Sequence, residues 1–395
     1  MSGRLRQVAR DVTLKVAANG VVRPPATSHA PRRILILQPD HLGDVLLSQP
    51  AVTLLREAHP EYELIGVVGP WSAEIARRAW SIDRIVEVAF PGFTRQVTSR
   101  RARLSGEAYR QVHRDAGILR AERAETAIVL RPDGWWAAWL GALSAAQVVA
   151  GDDPQTARFA TTTVPLTSTS HAAERAAAIA GGALTQPGAS RSSVSWRTHP
   201  LHLPVDGDAH EQVAALLRDL PSPGPFAVLH PGAGAAVKQW LPQRWPGVVR
   251  HLRERGLRVV LTGSAGEQLL CREIVAMEPD VLDLSGRTNL AELIELLRRA
   301  TVVVGPDSGP LHLAVATQTP SVHLFGPADP RRYGPWGDPA QHRVVHAGMT
   351  CPRCGDLSPT RAPGCGCMLA IGTSAVCDAI DAALDAAPAR EFSHG

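Results

Sequence analysis

The chain has 395 residues, of which 45% are apolar and 20% charged, with a formal net charge of +4. That length corresponds to two or three domains at roughly 100–200 residues each. The composition is that of a globular chain and excludes collagen-like and wholly disordered classes. No run of Lys or Arg forms a strong basic patch, so the charge points away from nucleic acid and toward an anionic small substrate or a weak membrane contact.

Two further features bound the reading. Of the 41 basic residues, only Lys15 and Lys238 are lysines, so a lysine inside a motif is informative. The longest apolar stretch, residues 135–150, is interrupted by Ser144 and Gln147 and is too short to span a bilayer. The first 20 residues carry arginines without an apolar h-region, which predicts no signal peptide and a cytoplasmic protein.

Residues 1–31 read as a flexible extension, with a short amphipathic membrane-surface helix as the alternative. Ile34-Leu35-Ile36-Leu37 is a continuous apolar run, as expected of a strand buried on both faces of a parallel sheet. A loop over 38–44, a helix over 45–58 and a strand over 63–68 complete a βαβ unit. Strands are predicted at 84–88, 126–130 and 148–150, with helical stretches at 100–123, 135–146 and 171–179. A composition break at 203–208 marks a candidate linker. A second series follows, with strands at 226–229, 258–262, 281–283, 301–304 and 321–324. Helices are expected at 246–255, 267–277, 290–299 and 310–317, and a terminal one at 375–387. Two successive series of this kind predict an α/β protein with two Rossmann-like parallel-sheet domains facing a cleft. The expected boundaries are 32–205 and 206–345, followed by a Cys-containing segment and C-terminal helix over 346–395.

Three loops after strands carry candidate chemistry. Asp40-His41-Leu42-Gly43-Asp44 follows the first strand. There Asp44 is either a general base or a helix cap, and Gly43 allows a tight turn. His230-Pro231-Gly232-Ala233-Gly234 leads to Lys238, a loop that is neither a Walker A sequence nor GxGxxG. Its amides and the lysine suit a phosphate, and a turn with a solvated lysine is the alternative. Asp307-Ser308-Gly309 opens a helix whose N-terminus is an anion site, with Asp307 free to accept sugar hydroxyls and His312 either near the ligand or packed in the core. Four cysteines, Cys351, Cys354, Cys365 and Cys367, leave open a structural zinc site, reduced thiols or a redox pair. Trp135, Trp136 and Trp139 read as packing, or as a wall for an acceptor.

With these residues in view, the chain resembles the ADP-heptose:lipopolysaccharide heptosyltransferases, glycosyltransferase family 9. The resemblance covers most of residues 33–380 and rests on four ordered segments: ILILQPDHLGDVLLSQPAVTLLRE, LHPGAGAAVKQWLPQRW, the pair LTGSAGE and DLSGRTNLAELIELLRRA, and VVVGPDSGPLHLAVATQTPSVHLFGP. It implies a GT-B fold with an acceptor-binding first half and a nucleotide-sugar-binding second half. It also implies inverting, metal-independent transfer from an ADP-sugar to a saccharide or glycolipid hydroxyl, with no cofactor. By this resemblance Asp44 is the catalytic base, with Asp40, His41 and Gly43 on the acceptor side. Gly232, Gly234, Lys238, Glu267, Thr288, Asp307, Ser308, Gly309 and His312 bind the donor, Glu267 at the ribose and Thr288 near the base. Gln38 stands where the family commonly has Arg or Lys, so a basic group near the acceptor is missing. A cytoplasmic enzyme, peripheral on the membrane's inner face, fits this implication. A nucleotide-sugar epimerase on the same fold and a non-catalytic nucleotide-sugar-binding protein are the competing readings.

Overall fold

A computed structural model of the chain describes residues 3–25, 32–91, 107–167, 170–184, 194–220, 224–349 and 365–387, with side chains from residue 11 onward. The chain divides into two compact units, Met1–His199 and Pro200–Gly395.

The first unit begins with helix α1 (Gly3–Asn19). The sheet is built from β1 (Arg33–Gln38), β2 (Glu63–Val68), β3 (Arg84–Glu87), β4 (Thr126–Val129), β5 (Gln147–Gly151) and β6 (Thr162–Val164). The strands lie in the order β3-β2-β1-β4-β5-β6, and all pairs are parallel. The connecting helices are α2 (Leu42–Leu47), α3 (Gln49–Ala58), α4 (Ala73–Ala79), α5 (Glu107–Arg120), α6 (Trp135–Ser144) and α7 (Ala172–Leu184). β1 is buried from Ile34 onward, which is why its sequence is apolar without alternation.

The single helix expected over 45–58 is two helices that meet at Ser48. Pro50 sits in the first turn of α3, where its missing N–H costs nothing, but it cannot continue α2. Within the stretch read as a flexible extension, Gly3–Asn19 is helical, and Leu14 is 1% exposed in the core of this unit. Arg23 Nη2 also donates to the Phe159 carbonyl (2.7 Å), fixing the segment after α1. The tryptophans form packing: Trp135 stacks on Trp136 at 4.0 Å between centroids, and Trp139 is buried beside Phe159.

The second unit repeats the plan. Its helices are α8 (Gly207–Leu217), α9 (Trp245–Glu254), α10 (Gln268–Met277), α11 (Leu290–Arg299), α12 (Gly309–Ala316), α13 (Pro330–Tyr333), α14 (Gly366–Leu369) and α15 (Thr373–Asp385). Its strands are β7 (Phe226–Leu229), β8 (Arg258–Leu261), β9 (Leu282–Asp283), β10 (Val302–Pro306), β11 (Ser321–Phe325) and β12 (His342–His346). They lie in the order β12-β11-β10-β7-β8-β9, again all parallel. Counted from the first strand of each unit, both sheets have the 3-2-1-4-5-6 order of a Rossmann sheet.

The candidate linker belongs to the second unit's packing. Leu201 and Leu203 are buried, and Arg298 Nη2 donates to the Leu203 carbonyl (3.0 Å). Among the elements the sequence does not announce, β6 has three residues and β12 alternates between buried and exposed positions, so neither shows a long apolar run. No described helix is long and apolar enough to cross a membrane.

Candidate functional site

In a Rossmann sheet the chain reverses its direction of winding beside its first strand. Ligands bind there, beyond the carboxyl ends of the two central strands. In the first unit that point lies between β1 and β4, in the second between β7 and β10.

In the first unit, Leu37 pairs with Val129, so the loops leaving β1 and β4 start side by side. Arg131, two residues beyond β4, forms an ion pair with Asp40, two residues beyond β1. The Arg131 guanidinium also holds Asp133, through Nε to Oδ1 (2.8 Å) and Nη2 to Oδ2 (3.2 Å). Trp71 Nε1 donates to the Asp40 carbonyl (3.0 Å), and the His41 ring lies 5.8 Å from that indole. His41 is the N-cap residue of α2, followed by Leu42 and Gly43. Asp44 therefore occupies the third helical position, and the reading of Asp44 as the cap is corrected.

The backbone of α2 is braced from below. Gln38 Nε2 donates to Ser48 Oγ (2.7 Å), and Ser48 Oγ donates to the Asp44 carbonyl (2.9 Å). Gln38 thus acts as a buried support, and the cation of this site comes from β4 through Arg131. Burial, then the negative charge of Asp44, push the Asp40 carboxyl up to about 7 against the pull of Arg131. Burial works against the charge of Arg131, but Asp40, Asp133 and Asp44 together raise its pKa.

Arg131 escapes sequence reasoning. A lone arginine has no distinctive setting in a chain where all but two of the 41 basic residues are arginine. The available signal is positional: it follows an apolar strand that lies next to β1.

In the second unit, Lys238 Nζ meets Asp307 Oδ2 at 2.6 Å, joining the loop after β7 to the loop after β10. Lys238 ends a short 3-10 turn, Ala236–Lys238, and its chain N–H bonds the Ala235 carbonyl (2.9 Å). Ser308 is the N-cap of α12, and its Oγ is buried without a hydrogen-bond partner among the described residues. A Cβ on Gly232 would lie 2.0 Å from Glu267 Oε1, so glycine is what lets the carboxylate rest on this loop. Glu267 also accepts from Ser264 N (2.7 Å) and Ser264 Oγ (2.8 Å), which holds its oxygens in place. His230 Nδ1 contacts Thr262 Oγ1 (3.1 Å); burial lowers the His230 pKa and Glu267 opposes that shift. Gly234 is exposed in the same loop.

The remaining candidates lie further out. Thr288 is half-buried in the turn between β9 and α11, toward the sheet edge, not at the β7–β10 junction. His312 is 5% exposed on α12, with its ring 6.3 Å from that of His323. His323 Nε2 and His342 Nδ1 each lie 2.8 Å from Ser321 Oγ. Of the cysteine cluster, Cys351 and Cys354 lie outside the described residues. Cys365 is disulfide-bonded, and Cys367 is buried with its Sγ 3.5 Å from that of Cys365. Among the described residues, no three His, Cys, Asp or Glu side chains are grouped to hold a metal ion.

The sequence profile of glycosyltransferase family 9 (heptosyltransferase) matches residues 112–356, more than half of the chain. The chain belongs to this family. It is therefore a glycosyltransferase by descent, and its two Rossmann-like sheets are those of the GT-B heptosyltransferases.

Lipopolysaccharide heptosyltransferase 1 of Pseudomonas aeruginosa PAO1 is 27% identical over 328 residues, 81% of this chain and 84% of that protein. Lipopolysaccharide heptosyltransferase 3 of Escherichia coli K12 is 34% identical over 115 residues, 28% of this chain and 33% of that protein. In fold, the chain is similar to the E. coli heptosyltransferase WaaC solved with ADP. The TM-score is 0.63 at 22% identity, covering 90% of this chain and 100% of that one. The family 9 resemblance seen in the ordered segments thus holds.

Proposed function

We propose that this family 9 enzyme transfers a heptose or related sugar from an ADP-sugar to a hydroxyl of a saccharide or glycolipid acceptor. The anomeric centre is inverted and no metal takes part. Two placements carry the reading. Asp44 lies at the winding reversal of the first sheet, and Lys238, Asp307 and the α12 N-terminus lie at that of the second. The relatives, lipopolysaccharide heptosyltransferases and a heptosyltransferase solved with ADP, support the donor and acceptor classes.

An alcohol is a poor nucleophile until it loses its proton. On this reading the Asp44 carboxylate takes the hydroxyl proton as the oxygen bonds to the anomeric carbon. The bond from that carbon to the diphosphate oxygen breaks, and its electron pair leaves with ADP. Lys238, the amides of the Gly232–Gly234 loop and the N–H groups at the start of α12 stabilise the charge that develops on the diphosphate. Asp307 holds Lys238 before the donor arrives and orients the sugar hydroxyls afterwards. Glu267, seated on Gly232, accepts the ribose hydroxyls. The cytoplasm or the inner face of the membrane is the proposed place of action, in keeping with a nucleotide-sugar donor and a glycolipid acceptor.

A donor screen tests the reading. Thermal unfolding of the full chain is followed with ADP-, UDP-, GDP- and dTDP-sugars, with and without EDTA. ADP-heptose is expected to raise the melting temperature most, by mass action, and chelation to leave that protection unchanged. Equal protection by every nucleotide, or loss of protection with EDTA, contradicts the proposal.

A further inference from the structure

We infer that α1 docks the protein on an anionic lipid surface: the outward valines of the helix enter the headgroup region, and the positive charge of its segment meets the lipid phosphates. The inference deepens the proposed place of action and rests on that reading for the glycolipid acceptor, which such docking brings within reach.

The charge of the chain is unevenly placed. Residues 1–31 hold five basic residues, Arg4, Arg6, Arg10, Lys15 and Arg23, and one acidic residue, Asp11. The whole chain has 41 basic and 37 acidic residues, so the other 364 residues hold 36 of each and are neutral in sum. The formal net charge of +4 therefore belongs to this segment alone. Its one carboxylate is already engaged, since Asp11 Oδ1 pairs with Arg158 (3.4 Å).

The same segment also turns apolar side chains to solvent. Leu14, buried in the core of the first unit, holds one face of α1 down, with Ala17, Ala18 and Val21 packed beside it. Val12 and Val16 lie one turn apart on the opposite face, 57% and 68% exposed, with Lys15 exposed beside them. Val22, just past the helix, is exposed as well. Three of the eleven large apolar side chains that stand exposed among the described residues thus fall within residues 12–22. In the sequence the helical spacing of Val12 and Val16 continues upstream through Val8 and Leu5. A helix with one face fixed in a core and a second apolar row in a cationic setting suits the plane of a membrane interface. A second copy of the chain would set two positive segments against each other. Nucleic acid offers phosphates but no apolar medium for the valines. An anionic bilayer meets both needs, because the cations gain from the surface charge while the valines leave water.

The test is flotation of the full chain with vesicles of phosphatidylcholine alone and of equal parts phosphatidylcholine and phosphatidylglycerol. Binding is expected to the anionic vesicles only, and to weaken as salt is added. The double variant Val12→Gln with Val16→Gln is expected to bind at least about tenfold more weakly, and Lys15→Gln about fivefold more weakly. All three side chains are exposed, so the melting temperature is expected to stay at the wild-type value. Equal binding of the wild-type chain to both kinds of vesicle, or binding to neither, overturns the inference, as does full binding by the double variant. A dimer in sedimentation velocity that the double variant dissolves, with no vesicle binding, overturns it in favour of a second copy, and binding to duplex DNA in place of vesicles overturns it in favour of nucleic acid. Transfer is read separately, as ADP release with a water-soluble acceptor, which the double variant is expected to support as well as wild type. Vesicle binding without any turnover of ADP-heptose refutes the transfer reading and leaves the docking helix standing.

Discussion

The two sheets share one strand order, and each places an ion pair where the winding reverses, but the polarity is exchanged. In the first unit the carboxylate, Asp40, leaves the first strand and the cation, Arg131, leaves the fourth. In the second the cation, Lys238, leaves the first strand and the carboxylate, Asp307, leaves the fourth. Their surroundings differ more than the pairs do. The Arg131 guanidinium also holds Asp133, and the charge of Asp44 acts on it, so carboxylates gather about this cation. Around Lys238 stand the Gly232–Gly234 loop and the α12 N-terminus, a setting of backbone amides that suits an anion. On the proposed reading, the same architecture supports opposite chemistry, decided by a few loop residues.

The largest effect that would break this contrast is at Asp44. Asp44→Asn keeps the shape of the side chain but removes the proton acceptor. A drop in turnover of about 10²–10⁴-fold is expected, the range typical for loss of a general base. The measurement is ADP release from ADP-heptose in the presence of acceptor, and near-wild-type release removes the base from the first unit.

A smaller effect sharpens the contrast through pH. His323 is fully buried, and burial, with His312 and His342 beside it, holds its pKa well below the ordinary value; His230 is shifted the same way by burial. The unfolded chain therefore takes up these protons first, near pH 6.5. The stability that neutral His323 and His230 lend the second unit is complete above that pH and is lost as pH falls below it. Asp40 is shifted upward, to about 7, so the folded first unit binds its proton first. Its contribution therefore favours the folded state more as pH falls from 7 toward 4. Each group changes stability by up to about 1.4 kcal/mol per pH unit within its window. Hydrogen exchange at pH 7.5 and 5.5 separates the two units: protection of β10 amides is expected to fall with acidification and that of β1 amides to hold or rise. Parallel loss in both sheets would contradict the shifts.

Much of this was legible in the residues themselves. β1, β2, β7 and β10 are apolar without alternation because both faces are buried, and a run such as Ile34–Leu37 says so directly. The loops after β1 and β10 stood out because Gly and Asp follow a strand and precede a helix, and the loop after β7 because glycines lead to Lys238. The break at Ser48 was hidden by apolar residues whose spacing continues across it, although Pro50 was a warning. The anchoring of α1 depends on Leu14 finding the first unit's core, a tertiary event with only a faint local signal. Arg131 and Asp133 stayed invisible because their meaning arises only when the strand order sets β4 beside β1.

The most direct test of the division of labour is calorimetric titration of ADP into the full-length wild-type chain, Asp44→Asn and Lys238→Ala. Asp44→Asn is expected to bind ADP as tightly as wild type. Lys238→Ala is expected to bind about 10–100-fold more weakly, the loss of one charge-assisted contact to phosphate. Unchanged affinity in Lys238→Ala, or lost affinity in Asp44→Asn, would contradict the assignment of proton acceptance to the first unit and anion binding to the second.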